Sequence, residues 1–137
     1  LVNRKDIETK QHKPEDDHFY PYHLYREGIL GDEVNNILNI HFLNRDENAR
    51  KSKKAPSDWL KSGVESYGNI SQEKIKKYFD SQLLPFSSQR NFEKFNRPFR
   101  MKKNKKMRNR IRVRYRRFLD KRFHEIWRAL NDLQDGN

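Results

Sequence analysis

The chain contains no cysteine, which excludes a disulfide framework and any thiolate metal site. It has no apolar run approaching the ~18 residues that a helical membrane span requires. Its five glycines are scattered singly, so no glycine-rich loop is available to cradle a phosphate. No nucleophile elbow is present either. The histidines are His12, His18, His23, His41 and His124, and no pair of them has a third ligand at zinc-like spacing. His12 and His18 with Asp16 and Asp17 read as a polar, acidic arm rather than a metal site. His41 reads as a packed histidine. The expectation is a protein that is not an enzyme, with no cofactor, no metal ligand and no small-molecule substrate.

Apolar residues are also scarce. They make up 33% of the chain against 36% charged, with a mean hydropathy of −1.26, where globular domains run nearer ~45–50% apolar. Little apolar surface is therefore available to offset chain entropy. Aromatics nevertheless reach 12%, nine of them Phe and six Tyr. Such rings anchor small cores or partner surfaces. The composition predicts a mainly α fold of short helices joined by extended segments, with no compact globular domain.

What is abundant is positive charge, in one place. Residues 97–122 hold fourteen Lys and Arg against a single acid, Asp120, and so carry +13. The whole 137-residue chain carries +12, leaving −1 for everything else. A cluster this dense repels itself and calls for a polyanion beside it, most commonly nucleic acid. The plainer reading is a solvated charge run or a basic tail. Against it, Met107, Ile111, Tyr115, Phe118, Leu119, Phe123, Ile126, Leu130 and Leu133 recur at helical spacing through and beyond the block. From Arg108 to Arg116 every second residue is Arg, so a strand with one all-Arg face competes with the helix. The unbroken stripe to Leu133 favours the helix, since strands rarely run so long. Arg108, Arg112 and Arg116 then share one side, and Arg110, Arg114 and Arg117 a neighbouring one.

Ahead of this block the chain reads as three regions. Residues 1–30 form an extended arm containing the aromatic knot from His18 to Tyr25, whose rings pack on bases, on a neighbour, or over the chain's own helices. Residues 31–84 form a small helical region. Within it, Val34, Ile37, Leu38, His41 and Phe42 make one helical stripe, and Ile75, Tyr78, Phe79 and Leu83 another that Pro85 stops. Residues 44–55 between them have no apolar face and read as a linker or frayed helix. Its group Arg50, Lys51, Lys53 and Lys54 reads as solvated. Residues 85–103 are an extended linker in which Phe86, Phe92, Phe95 and Phe99 alternate with polar and basic residues, suited to irregular RNA or to another protein. Residues 104–134 are the long basic amphipathic helix.

The run Arg97-Pro98-Phe99-Arg100-Met101-Lys102-Lys103, followed by an Arg-rich helix with Phe118, Phe123 and Ile126, resembles the mitochondrial form of the bacterial S-twenty-one type small-subunit ribosomal protein. Phe99 takes the place of that family's aromatic residue and Lys102 that of its lysine, while Lys103 stands where the family has proline. Lys105-Lys106-Met107 is similar to the basic block of a second mitochondrial small-subunit family. The resemblance implies a structural constituent of the mitochondrial ribosome, in the matrix, bound to ribosomal RNA and neighbouring ribosomal proteins. A first residue other than Met is compatible with removal of a targeting peptide. The candidate RNA-binding residues are Arg97, Phe99, Arg100, Lys102, Lys103, Lys105, Lys106, Arg108, Arg110, Arg112, Arg114, Tyr115, Arg116, Arg117 and Arg122, with Phe99 and Tyr115 as stacking rings. Two other classes use the same stretch: a DNA-binding chromatin or transcription factor with this helix in a major groove, and a non-enzymatic adaptor whose basic amphipathic helix docks on a protein or an anionic surface.

Overall fold

The computed structural model describes residues 15–43, 45–51, 54, 56, 58–59, 72–96 and 104–136. The fold is mainly α, with short helices, one small sheet and a long C-terminal helix. It divides into two units, Leu1–Ile70 and Ser71–Asn137, rather than one compact domain.

In the first unit, strand β1 (Glu15–His18) pairs antiparallel with β2 (Ile40–Leu43), in the register Glu15 with Leu43 and His18 with Ile40. Between the strands the chain makes a short helix α1 (Tyr22–Tyr25), a kinked turn through Gly28 at φ 66°, and two 3-10 turns, Gly31–Asn35 and Ile37–Asn39. Phe19, Tyr20, Tyr25, Ile29, Leu30, Val34 and Leu43 form its core, with Trp59 beside them. The extended arm expected over residues 1–30 is thus corrected where it is described. Only β1 is extended, and Phe19, Tyr20 and Tyr25 close over their own unit. Pro21 disfavours helix for Tyr20 but starts α1, because a ring-fixed φ of −58° suits a helix entry.

The helix expected from the stripe Val34, Ile37, Leu38, His41 and Phe42 is also corrected. Buried Asn39 accepts from the Tyr20 N–H at 2.9 Å and donates to the carbonyls of Tyr20 and Val34 at 3.1 and 2.9 Å. An asparagine side chain that binds backbone this way competes with helix formation. Beyond it, burial alternates along β2, with His41 and Leu43 inside and Phe42 outside, which is the period of a strand. The stretch 44–55, read as a linker or frayed helix, carries helix α2 (Arg45–Lys51), and Lys51 is not solvated but wholly buried. Its ammonium donates to the His18 carbonyl and to Asp17 Oδ2, each at 2.6 Å, while His41 Nε2 lies 2.8 Å from the same Asp17 oxygen. One turn earlier Asn48 donates to Glu15 at 2.8 Å, so α2 is fastened to β1 at two points. Burial pushes the Asp17 carboxyl up, but the His41 hydrogen bond and the Lys51 charge outweigh it and hold the group below the ordinary carboxylate value. Lys51 is pulled below the ordinary lysine value because burial costs its charge more than Asp17 returns.

In the second unit, helix α3 (Gln72–Ser81) buries Ile75, Tyr78 and Phe79 of the expected stripe, but the helix stops before Leu83 and Pro85, and Leu83 lies half-buried in the turn beyond it. It ends in a Schellman motif. Leu84 N–H donates to Phe79 and Leu83 N–H to Asp80, with Leu83 in the left-handed region at φ 51°. The extended linker expected over 85–103 is corrected over its first part, which contains helix α4 (Gln89–Asn96); 97–103 lies outside the described residues. Ser88 caps α4 through its hydroxyl, which accepts from Asn91 N–H at 3.1 Å. Phe86 and Phe92 turn inward against Phe79, with centroids 5.0–5.5 Å apart, and Phe86 stacks on Phe118 at 6.0 Å. Each ring so buried contributes roughly 1.5–3 kcal/mol, which is how a chain with few apolar residues supports this unit.

Candidate nucleic-acid interface

The basic stretch enters helix α5 (Lys105–Gln134) behind Asn104, whose side chain accepts from Met107 N–H at 2.9 Å. The helix form settles the competition between a helix and an all-Arg strand. No acid stands in its first turn, while Lys105 and Lys106 sit at the positive end of the helix dipole. That is the unfavourable end for cations, and a bound anion would relieve it.

α5 packs through Ile111, Tyr115, Phe118 and Arg122, all buried, the i, i+4, i+7, i+11 positions of one row. At about 100° per residue, Lys105, Arg108, Arg112 and Arg116 lie roughly 100° to one side of that row, and Lys106, Arg110, Arg114, Arg117 and Lys121 a similar angle to the other. The two groups of arginines are therefore opposite flanks of the helix, not neighbouring faces. Lys105, Lys106, Arg110, Arg116, Arg117 and Lys121 are exposed, and Arg108, Arg112 and Arg114 half-buried. Arg112 donates to Asn109 Oδ1 at 2.6 Å, and Arg110 reaches the Met107 sulfur at 3.9 Å. The cations of each row sit ~6 Å apart along an axis of ~24 Å from Lys105 to Lys121, a spacing that presents charge to a phosphate backbone on either side.

Two of the candidate residues leave the interface. Tyr115 has no exposed surface, and its ring lies 6.4 Å from Phe118. It stacks on the core and not on a base. Arg122 is buried and donates to the Gln82 carbonyl at 3.1 Å, tying α5 to the turn after α3. Burial, partly opposed by Tyr78, lowers its pKa to about 10, so it stays cationic at neutral pH. Arg97, Phe99, Arg100, Lys102 and Lys103 lie outside the described residues.

The second half of α5 differs in kind. Phe123, Trp127, Leu130 and Leu133 are exposed by 48, 56, 51 and 70%. A large exposed apolar strip marks a contact surface. Among the described residues no group of three or more His, Asp and Glu is placed to hold a metal ion, and no helix is long and apolar enough to cross a membrane. No protein-family model, no curated protein and no solved structure matches this chain.

Proposed function

We propose that this chain is a non-enzymatic RNA-binding protein that grips ribosomal RNA along α5, as a structural constituent of the mitochondrial ribosome, in its small subunit. The observation that carries the reading is the pair of cationic flanks, nine Lys and Arg over residues 105–121 with one acid, Asp120, among them. Neutralising phosphates on both sides suits a helix lodged among RNA segments, where shape and backbone are recognised. A major-groove reader of DNA presents its recognition face outward to base edges. Here the line directly opposite the packed row carries Asn109, Val113 and Asp120 rather than the cations, which disfavours that alternative. The ribosomal and mitochondrial setting rests on the resemblance of residues 97–126 to the S-twenty-one type family. Within it, Leu130 and Leu133 offer a surface for a neighbouring ribosomal protein.

The test is sedimentation of the tagged protein from mitochondrial lysate, with and without RNase, at low and high salt. The expected result is migration with a ribosomal small subunit through high salt, lost on RNase treatment. Migration at the top of the gradient with no response to RNase contradicts the proposal.

A further inference from the structure

Of the flank of α5 that carries Lys106, Arg110, Arg114, Arg117 and Lys121, Arg114 and Lys121 border two adjoining hollows. The smaller, about 200 Å³, lies between α4 and α5 and takes Lys94 and Asn91 from α4 and Arg114 and Lys121 from α5. The larger and more open, about 720 Å³, is lined by Lys121, His124, Trp127, Arg128 and Asn131. Both share Pro85 and Lys121, so they run on from one another along the helix. Arg114 to Trp127 spans ~20 Å of axis. The carboxylate in the lining, Glu125, lies 3.7 Å from Arg128, and Lys94, Arg114 and Lys121 bring three further cations to the lining.

Trp127 borders the larger hollow from the other side of α5, the side of Arg112 and Arg116, and stands more than half exposed, with its ring stacked on that of Phe123 at 6.3 Å and 18° between planes. Two parallel rings at a surface, one of them tryptophan, make a ladder to which a flat base can add a third tier. Cations at intervals along a groove, ending on an aromatic platform, are the combination that holds single-stranded nucleic acid: charge tracks the backbone and rings take the bases. A duplex keeps its bases stacked inside and could use only the charges.

We infer that these hollows seat an unpaired RNA segment that crosses the outer face of α5, with its phosphates along Lys94, Arg114 and Lys121 and one base stacked on Trp127. The inference rests on the RNA-binding reading of α5 and adds to it where on the helix the RNA lies and in which strand state.

Trp127 and Trp59 are the chain's two tryptophans, so a Trp59→Phe background isolates the Trp127 emission in the full-length protein. Titration with an unstructured oligo(U), on the order of ten nucleotides, should quench that emission. An RNA duplex with the same number of phosphates should bind with little quenching. Trp127→Ala, read by anisotropy of labelled RNA, should weaken oligo(U) by about 5- to 100-fold and leave the duplex unchanged. Lys94→Gln with Lys121→Gln should flatten the salt dependence for oligo(U) by roughly 1.4 in log–log slope. Salt-sensitive duplex binding with no effect of Trp127→Ala on oligo(U) overturns the single-strand seat while leaving α5 as an RNA-binding helix. Failure of both RNAs to bind overturns the two readings together.

Discussion

Replacing Asp17 by Asn tests the least expected feature of the first unit, the buried ammonium of Lys51. That ammonium has no exposed surface and donates to two acceptors, Asp17 Oδ2 and the His18 carbonyl. The introduced amide would keep an oxygen near the same place but remove the charge that offsets burial of the lysine. Stripping one partner from a buried pair costs about 3–5 kcal/mol, because the other charge stays desolvated. Lys51→Met should cost less, about 1–2 kcal/mol. It removes the buried charge itself, and Asp17 is 17% exposed and keeps His41 at 2.8 Å. The double variant should then be more stable than Asp17→Asn alone, a coupling of at least ~1 kcal/mol. The assay is equilibrium urea unfolding followed by Trp59, which is buried in this unit 5.9 Å from the His41 ring, in a Trp127→Phe background. A loss below ~0.5 kcal/mol for Asp17→Asn, or strictly additive losses in the double variant, refutes the view that Lys51 is held by compensation of its charge.

The same cluster sets a pH dependence. The folded-state pKa of Asp17 lies below its ordinary 3.8. Its contribution is therefore fully present above 3.8 and lost as pH falls through the lower folded value, and Asp17→Asn should abolish that acid limb of the stability curve. Tyr115→Phe should leave RNA affinity within about twofold, because the ring stays in the core. Tyr115→Ala should destabilise the second unit by about 3–5 kcal/mol in urea, the range for a large core ring, whereas a binding loss in the phenylalanine variant without unfolding would return Tyr115 to the interface. Leu83→Gly should raise the midpoint of α3 unfolding by the equivalent of about 1 kcal/mol, since leucine is strained at a positive φ and glycine is not. An unchanged or lower midpoint counts against strain at that turn.

The parts legible in the sequence are those with one strong period. The stripe from Met107 to Leu133 identifies α5, and the stripe Ile75, Tyr78, Phe79 identifies α3, because buried helix faces repeat every three or four residues. The first unit escapes such reading for a physical reason. Val34, Ile37, Leu38, His41 and Phe42 do match a helix, but the contacts that decide the matter join residues 20 and 39, and 17 and 51, which no local pattern displays. The closely spaced Asn35, Asn36 and Asn39 are the available signal, since asparagine favours turns over helix interiors. For the site, charge density marks the candidate interface, yet it cannot sort Tyr115 and Arg122 into the core. Their place in the row with Ile111 and Phe118 can, because an arginine on a buried row packs its stem and anchors its head. Trp127 lies off the stripe that the helical spacing displays. Its exposure and its stacking on Phe123 are facts of packing, not of composition.

The most direct measurement is the affinity of the full-length protein for a structured ribosomal RNA fragment across a series of salt concentrations, with charge-removing variants on each flank of α5. Engagement of one flank of five cations should give log K against log salt a slope of about −3.5 to −4.5, and engagement of both flanks about −6 to −8. Arg110→Gln with Arg117→Gln should flatten that slope by roughly 1.5. A slope shallower than about −2, unmoved by these substitutions, would contradict phosphate neutralisation by α5.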